Sequence, residues 1–203
     1  MPMDFHRDRL VGTRRRQFLG ALAVTALVGV AAAPVVSHTA QSATPERRVK
    51  AAFLYKFLGY TEFPASAFAD AAAPVVIGVI GADELAAELG RVVAGRTVQS
   101  RPIAVKVIRD AEGAGAVHLL FVGGNDRARI RSAIQAAAPG PMLVVSEAGD
   151  GLQQGSVINF RVVDERVRFD VSLEAADKNS IKLSSRLLSV ANVVHKEQRD
   201  ATR

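Results

Sequence analysis

Three short runs, residues 75–80, 119–122 and 142–145, are apolar almost without a break and are bounded by Gly or Pro. A strand with one wet face alternates polar and apolar residues. An unbroken run instead suits a strand covered on both faces, as in a parallel sheet between layers of helices. Helical patterns lie between these runs. Residues 83–93 form one, and residues 125–138 another, with Asn125 placed to cap it and Pro139-Gly140-Pro141 to end it. Residues 103–108 add a further strand in which Ile103, Val105 and Val107 alternate with a more polar set. Alternation of strand and helix predicts βαβ units with right-handed crossovers.

The ends of this core have a different pattern. Thr44-Pro45-Glu46 opens a helix, with proline suited to the first turn and an acid favourable beside the N-terminal dipole. From 49 to 63 the helical pattern continues until Pro64 closes it. Residues 49, 52, 53, 57 and 60 share one apolar face, while Leu54, Tyr55 and Leu58 occupy others. A helix apolar nearly all round is buried or covered by a partner. Tyr55, off the main face, is the candidate partner contact. Towards the C-terminus, residues 157–163 and 166–173 flank Asp164-Glu165 as an antiparallel hairpin. The second strand alternates Val167, Phe169, Val171 and Leu173 with Arg166, Arg168, Asp170 and Ser172, a half-buried edge pattern. Two non-glycine residues at the turn predict a loop wider than a tight primed turn. Residues 184–195 form an amphipathic helical pattern with Leu187, Leu188, Ala191 and Val194 inward. The expected fold is therefore α/β, a Rossmann-like, largely parallel sheet flanked by helices, with a C-terminal antiparallel hairpin and a final helix. It occupies residues 43–195, and a charged tail, 196–203, follows.

Ahead of that domain, residues 13–19 read Thr-Arg-Arg-Arg-Gln-Phe-Leu and resemble the twin-arginine export signal. Arg15 and Arg16 form the pair, and Phe18 and Leu19 stand at the expected offset. The stretch that follows, 18–36, is only mildly hydrophobic, and Ala40-Gln41-Ser42 supplies small residues for cleavage. Residues 1–42 are thus expected to be a signal peptide that delivers the domain to the periplasm.

Composition narrows the chemistry. The formal charge is +6, but half of it sits in the leader, where five arginines face Asp4 and Asp8. The rest carries no long basic run, so no nucleic-acid partner is expected. The chain has no cysteine, which removes disulfides, thiolate metal sites and cysteine nucleophiles together. His6, His38, His118 and His195 have no ligand spacing. Residues 78–83 lack the Gly-x-Gly-x-x-Gly and Gly-Lys-Ser/Thr patterns and form an ordinary strand-to-helix turn, although open parallel sheets do bind ligands at such strand ends. Gly123-Gly124-Asn125-Asp126 partly resembles the Gly-Gly-Asp/Glu-Glu-Phe signature of cyclic-di-GMP synthases but lacks its second acid and its Phe. Arg127, Arg129 and Arg131 suit a solvated helix, and Ser184-Ser185 suit a helix cap rather than a nucleophile elbow. No catalytic residue, cofactor or metal is expected.

Two groups of residues carry a family resemblance. Val49-Lys50-Ala51-Ala52-Phe53-Leu54-Tyr55-Lys56-Phe57, running on to Glu62-Phe63-Pro64, is similar to the opening of the YfiR family. The second group comprises residues 155–160, 166–171, Ala175-Ala176 and 181–188. The resemblance implies a periplasmic regulator that represses an inner-membrane diguanylate cyclase by contact with its periplasmic portion, so limiting cyclic-di-GMP signalling and biofilm formation. It also implies a homodimer. Some members carry paired cysteines that make their stability redox-sensitive, which this chain does not inherit. The alternative reading is a periplasmic small-ligand sensor or binding protein. An exported cofactor enzyme is disfavoured, since no nucleotide or metal motif is present.

Overall fold

The computed structural model describes residues 44–109, 117–124, 126–137 and 140–196. Helix α1 spans Pro45–Gly59, with the Thr44 hydroxyl accepting from the Arg47 N–H and Pro45 in the first turn. A short strand β1 (Thr61–Glu62) and a 3-10 turn (Ala65–Ala67) lead to β2 (Val75–Ile80). Then come α2 (Asp83–Val93), β3 (Thr97–Val98), β4 (Arg101–Ile108), β5 (Leu119–Val122) and α3 (Arg127–Ala137). The chain continues through β6 (Leu143–Ser146), β7 (Ile158–Val163), β8 (Arg166–Ser172), α4 (Leu173–Lys178), β9 (Lys182–Leu183), α5 (Ser185–Ser189) and β10 (Val193–His195).

Eight of these strands make one sheet in the order β10-β8-β7-β6-β5-β2-β4-β3, and β1 pairs separately with β9. Its centre, β4-β2-β5-β6-β7, is parallel throughout. The three apolar runs become β2, β5 and β6, buried at every position. Alternate residues of each strand serve different layers, which is why the runs are unbroken. Val75, Ile77, Val79, Leu119, Phe121, Leu143 and Val145 face α1 and α2. Val76, Ile80, Leu120, Val122 and Val144 face the other way, onto Ile130, Ala133 and Ile134 of α3.

The structure revises several expectations. In α1 the buried stripe is Ala51, Leu54, Phe57 and Leu58, while Val49 and Ala52 face solvent. The predicted face was therefore rotated, because apolar residues all round the helix leave its orientation to tertiary packing. The turn between β7 and β8 is tight. Val163 pairs with Arg166, and both Asp164 (φ 49°) and Glu165 (φ 59°) adopt the left-handed conformation of a primed hairpin turn, at a steric cost of about 1–2 kcal/mol each. Strand β8 is not an edge, since β10 lies beyond it in parallel, and this explains why Asp170 and Ser172 are buried. The Asp170 carboxylate accepts from Asn192 Nδ2 at 2.8 Å. The final helix is present, capped by Ser184, but ends at Ser189, and residues 193–195 are strand rather than helix.

At the N-terminal ends of the strands, His118 is buried against Phe68, their rings stacked 4.5 Å apart. Its Nδ1 accepts from the Val76 N–H at 3.0 Å, and its Nε2 lies 3.0 Å from the Ala67 carbonyl, to which the neutral ring donates. Burial pushes its pKa below the ordinary value. The Ala67 carbonyl opposes that shift and the Arg101 charge adds to it. The unfolded chain takes up the proton first, near about pH 6.5. The stability supplied by neutral His118 is thus complete above that value and is lost as pH falls through it towards the lower folded pKa. Thermal unfolding of the wild type should move down between about pH 7 and pH 5. The His118→Asn variant, which keeps a carbonyl acceptor near Val76, should lose most of that dependence. An unchanged slope in the variant would assign the effect to another group.

Candidate functional site

The chain passes from β2 through α2 to β4 on one side, whereas β5 lies against β2 on the other. The carboxyl ends of β2 and β5, at Ile80 and Val122, are therefore the switch point where open α/β sheets form a crevice. Two glycines allow the strands to turn apart in contact. A Cβ on Gly81, whose φ is +72°, would stand 2.7 Å from the Gly123 carbonyl oxygen, and one on Gly123 would stand 2.8 Å from the Ala82 methyl. The crevice has a volume of about 410 Å³, within the range of small-ligand pockets. Arg47 and Lys50 of α1, Ala82 and Asp83 at the start of α2, and Glu147 after β6 line it.

Its cations are matched internally. The Lys50 ammonium donates to Glu147 at 2.7 Å and to Glu46 one turn earlier on α1. Burial works against the charge on Lys50, but the hydrogen bonds it donates to Glu147 and Glu46, with the charges of those carboxylates, outweigh it and leave the pKa raised. The other oxygen of Glu147 accepts from the Gly124 N–H at 3.1 Å. Arg47 pairs with Glu84 in the first turn of α2. Both cations lining the crevice are thus neutralised by carboxylates of the same chain, and neither is left over for an anionic ligand. Among the described residues, no group of three or more His, Asp or Glu side chains could hold a metal ion. The arrangement clamps the N-terminal half of α1 onto the carboxyl ends of β2, β5 and β6.

Tyr55 is half-buried, packs against the core beneath α1, and carries the Arg96 guanidinium 5.1 Å above its ring centroid. Arg15, Arg16, Phe18 and Leu19 lie outside the described residues, as do Asn125 and the tail beyond residue 196. Ser184 accepts from the Leu187 N–H as a cap, and His195 sits on β10. Sequence reasoning missed Glu147. The Glu46–Lys50 spacing on one helix face was legible, but the Lys50 to Glu147 separation of 97 residues left no local signal.

Residues 47–192 match the profile of the YfiR/HmsC-like family, most of the chain and nearly all of the described fold. The chain belongs to the YfiR/HmsC-like family. Members of this family are periplasmic regulators, and the assignment gives this chain a regulatory role. No helix among the described residues is long and apolar enough to cross a membrane. A solved structure with a similar fold is a conserved domain protein from Vibrio cholerae O1 biovar El Tor str. N16961, 11% identical, with a TM-score of 0.50. That likeness covers 73% of this chain and 60% of the Vibrio chain. No curated protein matches the chain.

Proposed function

We propose that this YfiR/HmsC-like chain is a non-enzymatic regulator that represses an inner-membrane diguanylate cyclase by contact with the cyclase's periplasmic portion. The family match over residues 47–192 carries the reading. It is supported by a crevice whose cations are already paired, which turns attention from pocket chemistry to surface contact. Export by the twin-arginine signal of Arg15, Arg16, Phe18 and Leu19, a homodimeric state and reduced biofilm formation complete the proposal. Tyr55 is retained as the proposed anchor, since its ring is partly open beside Arg96. Aromatic anchors seated in a partner pocket contribute about 2 kcal/mol or more.

Deleting the gene should raise cyclic-di-GMP, and restoring the exported chain should lower it. An Arg15→Lys, Arg16→Lys form held in the cytoplasm should not restore repression, and a folded Tyr55→Ala form should restore it only weakly. Unchanged cyclic-di-GMP in the deletion strain would remove the cyclase from the proposal. The switch-point crevice then favours a second reading, a small-ligand sensor, tested by whether metabolites copurify with the mature domain.

A further inference from the structure

Strand β7 reaches past the strand beside it. It pairs with β6 only at Ile158 and Asn159, whereas residues 160–163 pair with β8 alone. Among the described residues the hairpin tip is thus a two-stranded arm with an unpaired backbone edge on β7. Beside that edge lies a groove of about 510 Å³, bordered on one side by Gly149, Arg161 and Val162 and on the other by the paired Glu46, Lys50 and Glu147. The two faces of the arm differ. Phe160 and Phe169 oppose each other and continue the α1 layer, with the Val162–Val167 pair beyond them. Val162 is 59% exposed. On the other face Arg161 stands directly opposite Arg168, and the next pair outward is Val163 with Arg166.

Three exposed arginines thus share one face of a narrow ribbon, two of them directly opposed. Like charges in that position destabilise a strand pair. None of the three forms an ion pair with a described residue, and Arg161 reaches only the Gly149 carbonyl, at 3.5 Å. Among the described residues no ion pair relieves that repulsion, and it stands next to an open strand edge of the kind that proteins ordinarily protect.

We infer that the free edge of β7 at residues 160–163 receives an extended segment of a partner protein in which acidic and apolar residues alternate. Backbone hydrogen bonds to β7 hold the segment. Its acidic side chains meet Arg161, Arg166 and Arg168, and its apolar side chains meet the exposed Val162. A membrane surface fits less well, because Asp164 and Glu165 lead the arm and reduce its net charge to +1. The inference deepens the contact-regulator reading proposed above and rests on it.

The test uses the folded mature domain and a capped peptide alternating glutamate with valine, read by amide chemical shifts. Shifts should concentrate at residues 160–163 and 166–169. An Arg166→Glu, Arg168→Glu variant should bind at least about tenfold more weakly, and an Arg→Lys pair should bind within a few-fold of wild type. Equal binding by the reversed variant would overturn the inference, as would shifts confined to other elements. Arginine-dependent sedimentation with phosphatidylglycerol vesicles in the absence of peptide shifts would overturn it in favour of a lipid surface. Cyclic-di-GMP separates the two readings. If gene deletion leaves it unchanged while the peptide binds the arm, the cyclase reading falls and the arm stands. If deletion raises it and the reversed variant still represses fully, the arm falls and the cyclase reading stands.

Discussion

Phe57→Ala is expected to lower the stability of the domain by about 3–5 kcal/mol, the usual cost of emptying a phenylalanine site in a core. For a domain of this size each kcal/mol corresponds to about 2–4 °C in Tm, so the midpoint should fall by roughly 6–20 °C. The reason is position as well as size. Phe57 is only 2% exposed and sits among three other rings, with centroids 5.8 Å from Phe53, 5.8 Å from Phe160 and 4.9 Å from Phe169. Those rings come from α1, β7 and β8, so the cavity would loosen the helix and the hairpin together. Phe53→Ala, on the half-buried side of the same cluster, should cost clearly less. Equal losses at the two positions would show that the cluster does not centre on Phe57.

Gly151→Ala should have an effect of similar size by a different route. Here the loop between β6 and β7 comes down onto a buried polar trio. The Ser146 hydroxyl donates to Asn159 Oδ1 at 2.7 Å and shares a 2.8 Å hydrogen bond with the Ser156 hydroxyl. A Cβ on Gly151 would lie 2.0 Å from Ser146 Oγ and 2.5 Å from Asn159 Oδ1. Either the loop lifts away or the trio breaks, and each buried polar group left unsatisfied costs about 1–3 kcal/mol. β6 and β7 share only two register pairs at this join, so little else compensates. A loss of about 3 kcal/mol in urea unfolding is expected. Adding Ser146→Ala should recover part of it by vacating the nearest atom, and a double variant no more stable than Gly151→Ala alone would contradict the steric account.

The sheet was legible because its information is local. A short unbroken apolar run bounded by turn residues suits a strand with two covered faces, and β2, β5 and β6 are buried residue by residue. The last strand was hidden for the opposite reason. Leu187, Leu188, Ala191 and Val194 have helical spacing, yet the Asn192 N–H finds the Phe169 carbonyl at 2.8 Å, and residues 193–195 pair with 170–172. No periodicity within 184–195 could announce a partner on β8. The crevice divides in the same way. One half of the Lys50 clamp lies four residues away on α1, and the other half is set by where β6 ends. The tight turn at Asp164-Glu165 shows a further limit, since a well-packed hairpin holds two residues in a conformation that their own preferences disfavour.

The small β1–β9 sheet has a consequence in time. Thr61 pairs with Leu183, and the Tyr60 carbonyl takes the Ser184 N–H, so the end of α1 is fastened by residues synthesised long after it. β10 completes the flank of β8 later still. A nascent or truncated chain that stops before these residues leaves the foot of an aromatic-rich helix unfastened and the edge of β8 bare, and exposed features of this kind attract chaperones and promote aggregation. Synthesis through β9 and β10 is thereby recorded on the surface, and under the twin-arginine export proposed above, a machinery that accepts folded cargo would discard forms that stop short of them.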